Sequence, residues 1–155
     1  MNYVFAMAVG IGIVAGLRSL TAPAVVAWAA HLGWLNLHSS PLAFMQSTTA
    51  VAIFSLLAIG ELTVDKLSNT PKRTALVPLL ARVLTGALCG ACVCAATGKS
   101  LLAGAILGAT GGVIGAFAGY KARKSLVDHL RMKDFFVAIC EDLVAIGLAV
   151  LFVSR

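Results

Sequence analysis

Long apolar runs, each broken by a short cluster of polar, glycine or proline positions, dominate the chain. The first run, Tyr3 to Leu17, stops at Arg18-Ser19-Leu20-Thr21-Ala22-Pro23, and a second apolar piece, Ala24 to Leu35, follows directly. Thr21 is a good helix N-cap and Pro23 suits a first helical turn, so the helix is expected to break at Arg18 to Ala22 and restart. The pattern leaves open whether Ala24 to Leu35 crosses a bilayer, re-enters it or lies flat. His38-Ser39-Ser40-Pro41 reads as a turn before a span from Leu42 to Gly60, which ends in Glu61-Leu62-Thr63-Val64-Asp65-Lys66. Ser68-Asn69-Thr70-Pro71-Lys72-Arg73 reads as a loop, with Thr74 capping a third span, Ala75 to Ala96. Thr97-Gly98-Lys99-Ser100 turns the chain into a fourth span, Leu101 to Tyr120. A basic amphipathic linker, Lys121 to Lys133, precedes the last span, Phe135 to Val153. The pattern predicts an all-α polytopic transmembrane bundle of about five spans with a broken first helix.

Composition supports a bilayer solvent. Residues of the AVILMFWYC set make up 60% of the 155 and charged residues 12%, and the mean hydropathy is +0.97. A soluble domain carries about 25% charged residues, so too little polar surface exists here to cover a globule in water. The net charge of +6 does not point to nucleic acid, because the basic residues form no single stripe interleaved with aromatics. They collect in two connections instead. With five spans, Lys66, Lys72, Arg73, Lys121, Arg123, Lys124, Arg131 and Lys133 share the side of the N-terminus, against Arg18, Lys99 and Arg155 opposite. The positive-inside rule then places the N-terminus in the cytoplasm. Tyr3, Tyr120 and Phe135 are expected at that interface, and Trp28 and Trp34 at the other. The opening Met-Asn-Tyr-Val-Phe-Ala has no Lys or Arg before its apolar run, so it reads as a retained span rather than a secretory signal.

The whole chain, 1–155, reads as one integral-membrane domain. Gly12-Ile-Val-Ala-Gly16-Leu-Arg18-Ser19 resembles Gly115-Ala-Phe-Ala-Gly119-Tyr-Lys121-Ala122. Segments 1–66 and 99–155 would then be two halves related by inverted topology, with 74–97 the linking span, as in many transporters. Glycines Gly104, Gly108, Gly111, Gly112, Gly115 and Gly119 fall mostly on one face of the fourth span, and Gly10, Gly12 and Gly16 do the same in the first. Such faces let backbones approach closely, so the two helices are expected to pair within one chain or between protomers.

Polar chemistry is sparse and therefore informative. Glu141 and Asp142 lie roughly 10–12 Å into the last span at 1.5 Å per residue, where carboxylates usually face a partner or a polar cavity. Arg82 reaches a similar depth in the third span and is the expected partner; one Arg cannot neutralise two carboxylates, which leaves room for a proton, ion or solute. Glu61 and Asp65, four residues apart on one helix face, repel each other, so a cation is expected nearby: Lys66, Lys72, Arg73, Arg82 or a metal ion. Their spacing matches no diagnostic metal motif, and no metal or other cofactor is assigned. Arg18, Ser19 and Thr21 flank the helix break, where free N–H groups and the positive end of the helix dipole attract anions. His31, His38 and His129 read as isolated surface or interface residues. Cys89 and Cys92 have C-x-x-C spacing, yet with Cys94 and Cys140 they lie in apolar stretches and read as packing residues. No hydrolase, metalloprotease or P-loop motif occurs, so no enzyme activity is expected.

Gly16-Leu17-Arg18-Ser19-Leu20-Thr21-Ala22-Pro23-Ala24, Glu61-Leu62-Thr63-Val64-Asp65-Lys66 and Thr70-Pro71-Lys72-Arg73-Thr74 together resemble a family of small bacterial integral-membrane proteins of unknown function. The likeness extends over nearly the whole chain. It implies a bacterial inner-membrane protein and supplies no substrate.

The expected function is passage of a small ion or anionic solute across that membrane, in a homo-oligomer surrounded by lipid. Arg18, Ser19 and Thr21 would contact the solute near the outer side, and Arg82, Glu141 and Asp142 would form the inner site, with Glu61 and Asp65 at its mouth. Coupled to protons, one carboxylate would cycle between charged and neutral forms. The alternatives are a non-transporting scaffold and a protein binding lipid headgroups through Arg18 and the Lys121–Lys133 linker.

Overall fold

The computed structural model describes residues 3–64, 76–130 and 134–154. These form six α-helices, α1 (Tyr3–Leu17), α2 (Thr21–His31), α3 (Thr48–Val64), α4 (Leu76–Ala96), α5 (Leu101–Leu130) and α6 (Asp134–Val153), plus a 3-10 turn at Ala43–Gln46. No strand occurs among the described residues. The helix boundaries follow the breakers. Ser47 caps α3, its hydroxyl accepting from Ala50 N–H at 3.1 Å. Pro78 sits in the first turn of α4, where its missing N–H costs nothing. The turn between α4 and α5 uses Gly98 at φ +67°, a left-handed conformation that glycine adopts without strain.

One expectation fails at the connection after α5. Lys121 to Leu130 is not a linker but the continuation of the helix, which runs unbroken for 30 residues. At 1.5 Å per residue that is about 45 Å, longer than the ~30 Å hydrocarbon core of a bilayer.

The centre of the fold is a glycine-mediated trio. α5 packs against α4 on one side and α1 on the other. Gly108 is the closest point: its backbone carbonyl approaches Gly86 of α4 and Gly12 of α1 so nearly that a β-carbon at either glycine would collide with it. Gly90 meets Gly104, Gly16 meets Gly112, and Gly115 meets the Ile13 carbonyl; Gly119 is buried one turn further on. Both glycine faces are therefore used within one chain, and covering them requires no second copy.

These contacts fix the helix directions. Gly12 with Gly108 and Gly16 with Gly112 make α1 parallel to α5, whereas Gly86 with Gly108 and Gly90 with Gly104 make α4 antiparallel to α5. Gly10 faces Phe152 while Arg18 reaches Asp142, so α6 is antiparallel to α1. The chain then reverses after Arg18. α2 runs back along the bundle, buried from Thr21 to Ala30 except at Val25 and Trp28. Leu35, Leu37 and Met45 beyond it join the same core as Val4, Cys92, Cys94, Ala149 and Val153. α3 returns antiparallel to α2, which it meets at Trp28–Ser55 and at Leu20–Glu61.

The reversal corrects three expectations. The start of α1 and the end of α3 lie at opposite ends of the bundle, not the same end. Tyr3 belongs with Trp34, not with Tyr120. The two Gly-x-x-x-Gly segments, one on α1 and one on α5, run parallel and are not inverted relative to each other. All follow from one physical cause: α2 doubles back instead of extending the first span, so every later element changes side.

The outer faces are apolar. Leu56 and Ile59 of α3, Leu84 of α4, Leu102 and Ile106 of α5 and Leu143 of α6 are all exposed. Exposed apolar surface on this scale needs a nonaqueous or protein neighbour. Two described helical segments, Leu76–Ala96 and Leu101–Leu126, are long and apolar enough to cross a membrane, each with a mean hydropathy of 1.9. α1 and α3 are apolar but shorter.

Candidate functional site

Breaking a helix orphans the last carbonyls of one piece and the first N–H groups of the next. In a poorly hydrated bundle each orphan needs a partner. Two other helices supply them. Arg82, from the second turn of α4, donates its Nη1 to the Leu17 carbonyl at 2.9 Å and to the Gly16 carbonyl, closing the C-terminal end of α1. Glu61, from the last turn of α3, receives the N-terminal end of α2. Its Oε1 accepts from Ser19 N–H at 2.8 Å and from the Ser19 hydroxyl at 2.6 Å. Its Oε2 accepts from Leu20 N–H at 2.8 Å.

The charged side chains beside this junction come from five helices or their ends. Arg18, fully buried, pairs with Asp142 of α6, itself 9% exposed. Arg82 is 4% exposed. Toward the edge, Arg123 of α5 faces Glu141 of α6 at 4.0 Å. Among the described residues three guanidinium groups (Arg18, Arg82, Arg123) thus stand against three carboxylates (Glu61, Glu141, Asp142), and these six groups balance in charge. Such a balance is what a low-dielectric site requires, since an unpaired ion buried there is costly.

The structure arranges the residues singled out in the sequence differently from the expectation. Arg18, Ser19 and Thr21 are not at the opposite level from Arg82 and Asp142; the reversal of α2 brings all of them to one end. Asp142 pairs with Arg18, a combination the depth count could not offer because it put the two on different sides. Glu61 needs no cation, because backbone N–H groups hold it. The surplus negative charge inferred from one Arg beside two carboxylates is gone, as Glu141 has Arg123. Thr21 is not the N-cap: Leu20 holds that position without a side-chain cap, and Glu61 takes the Ser19 and Leu20 N–H groups just before the helix. Thr21 is 5% exposed, and its hydroxyl has no hydrogen-bond partner. Asp65, with Lys66, Lys72 and Arg73, lies outside the described residues.

A feature the sequence did not signal lies at the other end. A cavity of about 400 Å³ is lined by His31, Asn36, His38 and Gln46 with Ala30, Gly33 and Leu35. The Gln46 carbonyl meets His31 Nδ1 at 2.9 Å. Its side-chain amide, oriented to satisfy its neighbours, donates to His38 Nε2 at 3.1 Å and accepts from Leu37 N–H at 2.7 Å. These histidines are not isolated; residues 32–42 fold them together. Cys89, Cys92 and Cys94 are buried free thiols, whereas Cys140 is exposed. Among the described residues no group of three His, Cys, Asp or Glu is placed to hold a metal ion.

Neither a curated protein nor a solved structure matches the chain. A family model described as a domain of unknown function, DUF4126, matches residues 5–154. With nearly the full length covered, including both motifs that meet at the α1–α2 junction, the chain belongs to the DUF4126 family.

Proposed function

We propose that this is a multi-pass membrane protein that passes a small anion, and that the α1–α2 junction is its binding site. The observation that carries the proposal is the convergence of two buried arginines, Arg18 and Arg82, with the backbone N–H groups of Ser19 and Leu20 at the entry to α2. A half-helix N-terminus in a membrane bundle is where transporters receive anionic groups, and irregular backbone at membrane depth is tolerated where it is buried or lines a cavity. α2 is only 11 residues long, about 16 Å, and runs from the Arg18 end of the bundle back to the end that holds the His31–His38 cavity.

The helix directions also support a membrane orientation. The ends of α3 and α5 lie at the Arg18 end, where α5 carries Lys121, Arg123 and Lys124; Lys66, Lys72 and Arg73 follow α3 in the sequence, and Arg131 and Lys133 follow α5. By the positive-inside rule that end faces the cytoplasm, and the start of α1, with the His31–His38 cavity, faces outward. The bacterial inner membrane is the matching compartment. The role is non-enzymatic, and a homo-oligomer is not needed to build the site.

A specific observation favours a second reading, a non-transporting scaffold: Glu61, Glu141 and Asp142 each already have a partner, and Arg82 ties α4 to α1. Flux through proteoliposomes separates the two. Wild-type protein should pass small anions, and Arg18→Ala should abolish the flux while the protein stays monodisperse. If purified wild-type protein moves no ion in a broad screen, the scaffold reading stands and transport does not.

A further inference from the structure

The anion cradle at the start of α2 already holds an anion, and it belongs to the protein. The two oxygens of Glu61 are addressed separately, Oε1 by Ser19 N–H and Oγ, Oε2 by Leu20 N–H. That is the donor pattern for a planar carboxylate, not for a spherical halide. Thr21 stands next in the same turn, buried to 5% exposure, with a hydroxyl that Glu61 leaves unused. Glu61 itself is only half-buried. It projects from the end of α3, a helix that packs mainly on α2 and the short turn before it. Gly60 beside it has open space around it.

We propose that the start of α2 is a receptor for small monocarboxylates of the formate and acetate class, with Glu61 as its built-in occupant. A free carboxylate takes over the Ser19 and Leu20 donors and adds the Thr21 hydroxyl, while Glu61 swings to the aqueous end of α3. Charge selects the ligand class. Exchanging one monoanion for another preserves the balance among Arg18, Arg82, Arg123, Glu141 and Asp142, whereas a phosphate dianion would leave excess negative charge in a poorly hydrated site. The inference names the solute class of the site proposed above and rests on that reading.

Chemical rescue tests it. Glu61→Ala empties the cradle, so formate or acetate should raise the melting temperature of the detergent-solubilised variant saturably by several degrees. Sodium chloride and phosphate at equal ionic strength should not. No saturable rescue, or equal rescue by chloride, overturns the proposal. If Glu61→Ala does not fold, Glu61→Gln retains the side-chain shape but loosens the internal grip. Its affinity for carboxyl-labelled acetate, read by NMR line broadening, should exceed that of wild type by about tenfold, and adding Thr21→Val should reduce it severalfold. Equal acetate affinity in wild type and Glu61→Gln also overturns it. Rescue without any flux would sink transport and spare the receptor. Flux of other anions without acetate binding would do the reverse.

Discussion

Arg82 Nη1 meets the Leu17 carbonyl at 2.9 Å, across 65 positions of sequence. A side chain of α4 thereby ends α1, and the same junction starts α2 with a carboxylate from α3. The fold is fastened where its first helix breaks.

Arg82→Met should remove that fastening. Hydrogen bonds to a charged group contribute about 1.5–3 kcal/mol, and the freed carbonyls have no ready substitute. A loss of that order is expected in equilibrium unfolding in detergent, with Arg82→Lys intermediate because an ammonium lacks the guanidinium fork.

Breaking the Arg18–Asp142 pair on one side should cost more than removing it whole. Asp142→Asn leaves the fully buried Arg18 charge in place, a cost of ~3–5 kcal/mol, whereas replacing both partners by apolar residues is closer to neutral. A double-mutant cycle with Arg18→Met and Asp142→Leu should therefore give a strongly favourable coupling energy. Additive single effects would mean that the two do not act as a pair.

Glu61→Ala should loosen the structure unevenly. The start of α2 loses three hydrogen bonds, and loss of a helix cap costs about 0.5–2 kcal/mol. Because α3 packs chiefly on α2, its amides should gain hydrogen exchange well before those of α1 and α5. Uniform loss of protection would contradict this division.

Glycines at the centre and the periphery should respond in opposite senses. At Gly108 a β-carbon would strike the Gly86 backbone, and backbone cannot yield as a flexible side chain can. Gly108→Val should prevent monodisperse assembly, by overpacking of well over about 1–3 kcal/mol. At Gly147 nothing lies within 4 Å, so Gly147→Ala should be neutral or stabilising by roughly 0.5–1 kcal/mol. Size-exclusion profiles and melting temperatures distinguish the two.

The helix directions make a labelling prediction. In a background with Cys89, Cys92, Cys94 and Cys140 replaced, Trp34→Cys and Lys124→Cys should lie on opposite faces of the membrane. A membrane-impermeant thiol reagent added to intact cells should modify the first and spare the second until the cells are opened. Labelling both in intact cells would remove the proposed orientation.

Much of the fold was legible because its cues are local. Thr97-Gly98-Lys99-Ser100 announced its turn through a glycine at positive φ, and the glycines of α1 and α5 announced their contact through spacing. The reversal after Arg18 had no such signal. Its N-cap, Leu20, has an ordinary αR-like backbone (φ −105°, ψ −17°), and the carboxylate that takes its N–H comes from 41 residues away. Nor could depth counting pair Arg18 with Asp142, because depth from a helix start says nothing about side once a helix doubles back.

Sequence alone determined the all-helical class, the breakers, the apolar outer faces and the short set of ionised residues, because hydropathy and capping act over a few neighbouring positions. Only the tertiary structure decided which way α2 runs, which arginine meets which carboxylate and whose side chain closes the broken helix. Those choices depend on helix azimuth and close glycine packing, which bring together groups that no local pattern connects.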